Sequence, residues 1–243
     1  MHYMFFKCLM TFSHPGATLA GMSTQRSYRQ HCGLARALDV LGERWSLLIL
    51  RELLLGPRRY GDLAADLPGI GTNLLAARLR SLEEAGVLRR TTLPAPANVP
   101  VYELTERGEG LRPVLEELAL WGYDLLPAEP AGEVATRASW AAMTMGAVLD
   151  RTDTTGLRGT FAFSVGDELF YVTVANDAAR VHQGVPPAAE AHATTDPATF
   201  FAIADGRLSP RQAMRDGLLV VDGDRRLLGR LLAGFHLPAR AAA

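Results

Sequence analysis

The sequence predicts an α+β protein in two parts: a helical unit closed by a two-stranded hairpin, then a smaller antiparallel sheet covered by helices. Three observations carry this. Apolar residues recur at helical spacing from Leu34 to Leu82 and again from Leu111 to Leu125. The β-branched runs Val87 to Thr91 and Val101 to Thr105 flank a loop holding Pro94, Pro96 and Pro100. Beyond Gly132 the texture changes to alternating strands followed by helices, the order of an α+β layer.

In chain order, Leu34, Ala35, Leu38 and Leu41 share one helical face, and after a break at Gly42 so do Trp45, Leu48, Ile49 and Leu53. Tyr60 to Leu67 is a third helix with Leu63, Ala64 and Leu67 inward, stopped by Pro68-Gly69-Ile70-Gly71. Thr72 is placed to cap a fourth helix, whose buried stripe is Leu75, Leu79 and Leu82 and whose end falls at Gly86, where a left-handed residue is wanted. Helix, tight turn, helix, strand, proline-rich loop, strand is the order of a winged helix-turn-helix.

On a 100° wheel the outer face of the fourth helix carries Asn73, Ala77, Arg80, Ser81 and Glu84, with Thr72 at its start and Arg78 on the flank. Small and hydrogen-bonding side chains suit a major groove: Asn pairs with adenine, Arg with guanine, and alanine lets the backbone approach. An ordinary solvated helix face has similar composition, and it is the hairpin with a wing-like loop that favours DNA. Arg58, Arg59, Arg89 and Arg90 are the expected phosphate contacts, and the expected ligand is double-stranded DNA.

Bulk charge neither supports nor opposes this. The formal net charge is −1, and residues 27–127 hold 12 arginines against 13 acidic residues. Lys7 is the only lysine, a bias that points to a GC-rich coding sequence. With 243 residues, 48% hydrophobic and 21% charged, two domains are expected. Cys8 and Cys32 make neither a disulfide framework nor a metal site, which fits a reducing cytoplasm, and no stretch has the length of a membrane span. Neither a P-loop, a G-x-S-x-G elbow nor a G-x-G-x-x-G turn occurs, and His2, His14, His31, His182, His192 and His236 lack metal spacing, so no enzyme, cofactor or metal is expected.

The ordered set Cys32-Gly33-Leu34-Ala35-Arg36, Gly42-Glu43-Arg44-Trp45, Gly56-Pro57-Arg58-Arg59-Tyr60, Pro68-Gly69-Ile70, Arg78-Leu79-Arg80, Gly86-Val87-Leu88 and Tyr102-Glu103-Leu104-Thr105 resembles the HxlR-type winged-helix transcriptional regulators over residues 28–126. In that family the first and last helices of the unit form a two-fold dimer. The matching last helix here opens at Thr105-Glu106-Arg107-Gly108 and carries Leu111, Val114, Leu115, Leu118, Trp121 and Leu125 at heptad-like spacing. The stripe is expected to form a homodimer; the competing use is packing on the second domain. Several members sense oxidants or electrophiles with a cysteine at the position of Cys32, which makes it a redox-sensing candidate; the alternative is a small buried hydrophobe.

The remaining boundaries follow. Residues 1–26 are an extension, with Met22 as a candidate natural start; 27–126 are the DNA-binding and dimerisation domain; 127–137 are a linker; 138–237 are the second domain; 238–243 are a tail. In the second domain a helix from Ala138 precedes a hairpin, Gly159 to Ser164 and Leu169 to Val174. Strands near Val181 and Ala191, helices at Pro197, Pro210 and Arg225 capped by Asp196 and Ser209, and a strand at Leu218 to Val221 follow.

This order, with Thr195-Asp196-Pro197, Phe200-Phe201 and Ala204-Asp205-Gly206, resembles the sterol-carrier-like lipid-binding domain. The resemblance implies an apolar tunnel; Phe161, Phe163, Phe200, Phe201, Leu208 and Met214 are its candidate lining, with plain core as the alternative. The reading is a cytoplasmic, dimeric transcriptional regulator whose second domain binds an apolar small-molecule or lipid effector. Its rival is a lipid-binding protein whose winged helix makes protein contacts only. A flexible tether transmits little, so the second domain is expected to pack on the Thr105 to Leu126 helix or on the partner subunit.

Overall fold

The computed structural model describes residues 27–123, 125–127, 136–151, 156–175 and 178–234. The expected extension, most of the linker and the tail lie outside them.

Four helices come first: α1 (Gly33–Leu41), α2 (Ser46–Leu54), α3 (Tyr60–Asp66) and α4 (Thr72–Glu84). The hairpin β1 (Leu88–Thr92) and β2 (Pro100–Leu104), then α5 (Glu106–Glu109) and α6 (Arg112–Tyr123), complete the unit. Its core joins Ile49, Leu50 and Leu53 of α2 with Leu63 and Leu67 around α3 and with Leu75, Leu79 and Leu82 of α4. Each fully buried leucine contributes about 1.5–3 kcal/mol, so the inward stripes read from the sequence are what hold the helices together.

Gly86 ends α4 as expected, with φ +68°. The Val87 N–H donates to Leu82 O at 2.9 Å and the Gly86 N–H to Glu83 O at 2.9 Å, the paired bonds of a Schellman motif. The cap at the other end differs from expectation: Gly71 is the N-cap and Thr72 is already the first helical residue. The predicted helix from Thr105 is also divided. Thr105 caps α5, but the chain turns at Gly110 and Leu111 before α6. Gly108 is required there, because a Cβ at that position would stand 2.1 Å from Val87 O.

The second domain contains α7 (Ala138–Arg151), β3 (Gly159–Val165), β4 (Glu168–Ala175), β5 (Ala178–Gln183), β6 (Ala191–Thr195), α8 (Pro197–Ala204), α9 (Pro210–Arg215), β7 (Leu219–Gly223) and α10 (Arg225–Ala233). Asp196 and Ser209 cap α8 and α9 through the amides of Thr199 and Gln212. The strand order is β5-β4-β3-β6-β7. The sheet is mixed rather than purely antiparallel, because β6 lies parallel to β3, with Phe161 opposite Ala191. After β5 the chain passes β4 and β3 and enters β6 in the direction of β3, which no two-residue hairpin could achieve.

The domains share packing through α7. Ala138 and Ala142 belong to the second core, Met143 to the first, and Ala147 and Val148 close on Leu120 of α6. The expectation that the second domain packs on the last helix of the first is met. Leu55, just past α2, is buried in the second core, and the Gln183 N–H of β5 donates to its carbonyl at 2.8 Å. Among the described residues no helix is long and apolar enough to cross a membrane.

Candidate nucleic-acid interface

With its leucine stripe turned inward, α4 leaves Thr72, Asn73 and Arg80 exposed and Ala77 and Ser81 half-buried. Among the described residues the Asn73 and Arg80 side chains make no hydrogen bond or ion pair, so their donors face solvent. The start of the helix is fixed from α3, where the Tyr60 hydroxyl donates to Thr72 O at 2.8 Å. Tyr60 was read from the sequence only as a helix residue; its tether to the turn needs the folded geometry.

The four expected phosphate contacts separate. Arg58 is a correction: it is buried, with its Nη2 3.3 Å from Asp66 Oδ2 and 3.6 Å from Glu52 Oε2. Its backbone pairs with Tyr102 of β2, donating to Tyr102 O at 2.9 Å and accepting from Tyr102 N at 2.7 Å. In such extended backbone successive side chains point to opposite sides. Arg58 therefore turns into the core and Arg59 out to solvent, where its amide N–H donates to Asp62 Oδ2 at 3.3 Å.

The same alternation divides the wing. Arg89 lies opposite Glu103 and its Nε donates to Oε1 at 2.7 Å, so its charge is partly spent, while the exposed Arg90 lies opposite Tyr102. Arg78, on the flank of α4, is already engaged. Its Nη2 meets Glu43 Oε2 at 2.7 Å and its Nε donates to Arg44 O at 3.3 Å, tying α4 to the turn before α2. Glu43 carried no sequence signal for this role.

Cys32 is an exposed free thiol at the N-cap of α1, not the small buried hydrophobe of the alternative reading. Near it, Gly33, Arg36, Ala37, Val40, Leu41, Val87, Arg107 and Leu111 line a groove of about 250 Å³ between α1 and α5. Asp39 fastens the segment before α1, accepting from the Tyr28 N–H and the Ser27 hydroxyl, each at 2.9 Å.

The candidate tunnel residues all belong to the second core or its margin. Phe161, Phe163 and Phe200 are core residues; Phe163 stacks on Phe170 at 5.0 Å and Phe170 meets Phe200 edge-on at 5.8 Å. These rings fill the space between sheet and helices. Phe201, Leu208 and Met214 pack at the partly buried margin of the same core. Phe163 and Phe170 also border a cleft of about 150 Å³ with Ala162, Leu169, Gly184, Val185, Pro186, Ala189 and His192, half the roughly 300 Å³ at which ligand pockets begin.

The exposed outer face of α4, the turn before it and the hairpin behind it fall within residues 40–130, which match a family model for HxlR-like helix-turn-helix proteins. An uncharacterized HTH-type transcriptional regulator of Synechocystis sp. is 37% identical over 118 residues, 49% of this chain and 87% of that protein. The chain belongs to the HxlR-like helix-turn-helix family. Another relative, an uncharacterized HTH-type transcriptional regulator of Mycobacterium tuberculosis, is 44% identical over 94 residues, 39% of this chain and 59% of its own length. Among solved structures, the reduced form of the transcriptional regulator YodB from B. subtilis is 31% identical, with 42% of this chain and all of that chain covered and a TM-score of 0.36. The HxlR-like unit is joined to a second segment, residues 147–233, that matches the SCP-2 sterol transfer family.

Proposed function

We propose that this HxlR-like protein is a dimeric, cytoplasmic transcriptional regulator that reads DNA with α4 and answers to an apolar effector held by its second domain. The observation that carries the DNA reading is the outer face of α4, where Asn73 and Arg80 keep their hydrogen-bonding groups unused beside small residues. Arg59 and Arg90 are the phosphate contacts favoured by exposure, with Arg89 shared with Glu103. Dimerisation is supported by the outer stripe of α6: Val114, Leu118 and Trp121, the last 67% exposed, with Leu125 beyond. The opposite side of α6 already packs on α7 through Leu120, so the outer stripe is left for a second copy. A pair related by two-fold symmetry presents two α4 helices to half-sites about 34 Å apart.

The match to the SCP-2 sterol transfer family supports the apolar effector, and the partly buried Phe201, Leu208 and Met214 at the margin of the second core are its proposed contacts. Mobility shift with the DNA upstream of the protein's own coding sequence tests the regulator. Salt-sensitive binding that prefers this duplex over a random one is expected; equal affinity for both would remove the reading role of α4.

A further inference from the structure

A buried cluster of charge joins the two domains at the helix-turn-helix. Asp66 is the last residue of α3, immediately before the Leu67 cap and the Pro68-Gly69 turn. A carboxylate there faces the negative end of the helix dipole and needs cations. It has Arg58 on one side, at 3.3 Å, and on the other side Arg137, which donates to its Oδ1 from just before α7. Glu52 of α2 is 0% exposed and is met by Arg51 Nη2 at 2.6 Å, Arg58 at 3.6 Å and the Trp140 Nε1–H of α7 at 2.9 Å. The Arg51 guanidinium lies 4.0 Å from the Trp140 ring, a cation–π contact. Arg137 is itself anchored. Its Nε stands 3.6 Å from Glu168 Oε2 of β4, and that carboxylate accepts from the amides of Ala138 at 2.8 Å and Ser139 at 3.1 Å at the start of α7.

We infer that Arg137, the last residue of the linker, and Trp140 of the second domain are positioning residues for DNA reading: they hold α2 and α3, and through Asp66 the turn that aims α4. The inference rests on the proposed reading role of α4. Removing one partner of a buried ion pair leaves the other without compensation, so this seam has one favourable arrangement instead of a range of loose ones. A movement of β4 or α7 is passed by Glu168 to Arg137, by Arg137 to Asp66, and so to the turn. The exposed α4 side chains stay chemically intact throughout, which separates positioning from contact.

The test uses the full chain with Arg137→Met, Arg137→Lys and Trp140→Phe, and anisotropy titrations over a salt series on the upstream duplex and a random duplex. Arg137→Met is expected to weaken the upstream duplex roughly tenfold, a usual size for coupling between sites. The random duplex and the salt slope should stay as in the parent protein, because the phosphate contacts are unchanged. Arg137→Lys should restore most of the loss and Trp140→Phe should show a smaller one.

Equal weakening on both duplexes means a general loss of folded protein and overturns the inference, as does an unchanged Arg137→Met. Hydrogen exchange of residues 60–71 gives an independent readout: faster exchange in Arg137→Met and Trp140→Phe, with residues 159–175 unaffected, is expected, and unchanged exchange in both overturns it. If the parent protein prefers neither duplex, the DNA reading itself fails, while the exchange data still decide whether Arg137 holds α3.

Discussion

At the scale of single residues, arginine is the informative type, because its position decides between stability and recognition. Arg58 is enclosed by Glu52 and Asp66, and breaking a buried pair costs ~3–5 kcal/mol. Arg58→Ala should therefore lower the denaturant midpoint strongly while leaving the salt slope of DNA binding unchanged in the protein that remains folded. A slope reduced by one phosphate contact would show that Arg58 reaches DNA after all. Arg80 and Asn73 should behave in the opposite way. Arg80→Ala or Asn73→Ala is expected to cost about 1–3 kcal/mol on the upstream duplex, little on random DNA and nothing in thermal stability. Anisotropy on the two duplexes checks this; equal losses on both would mean that these side chains touch only the backbone.

At the scale of elements, α6 is apolar on two sides for two purposes. Leu115 and Leu120 face inward, whereas Val114, Leu118 and Trp121 face out. Trp121→Asp should convert the proposed dimer to a monomer at micromolar concentration in sedimentation, with unchanged circular dichroism; a monomeric parent protein would remove the proposed dimer outright. Strand β5 gives a pH prediction. Burial holds His182 below the ordinary imidazole range, reinforced by Arg112 and Arg180 and opposed by Glu109. Its ring stacks on Tyr171 at 4.7 Å. The unfolded chain then binds the proton more readily than the folded one, so stability rises with pH across this window. The contribution is fully present above the ordinary value of about 6.5 and is lost as pH falls through the lower folded value. Melting temperature between about pH 5 and 8 should slope less in His182→Gln than in the parent protein; identical slopes would place the sensitivity elsewhere.

At the scale of the whole molecule, α7 makes the two domains one packing problem. It contributes Met143 to the first core and Ala142 to the second, so neither is complete without it. Ending the chain near Pro127 removes Met143, the Trp140 donor to Glu52 and the Arg137 partner of Asp66, while Arg51 and Arg58 stay. Loss of a buried methionine side chain alone costs roughly 2–5 kcal/mol. The shortened chain should melt at a lower temperature than the full chain and bind the upstream duplex more weakly. Equal melting and equal affinity would show that the second domain is a passenger.

Much of the fold was legible in local sequence. The leucines of α4, the left-handed Gly86, and the caps Asp196 and Ser209 are signals that act within a few residues, so the sequence by itself determined where these elements begin, end and bury. The exposed face of α4, the proposed reading face, was legible for the same reason: once Leu75, Leu79 and Leu82 are inside, Asn73 and Arg80 must be outside. Only the tertiary structure decided what depends on distant partners. Arg78 meets Glu43 across 35 positions, Arg137 meets Asp66 across 71 and Trp140 meets Glu52 across 88. The parallel pairing of β3 with β6, the burial of Phe161, Phe163 and Phe200 in one core, and the inward turn of Arg58 are likewise outcomes of packing. Periodicity says which side of an element is apolar, but which charge, ring or strand comes to lie against that side is chosen only when the whole chain closes.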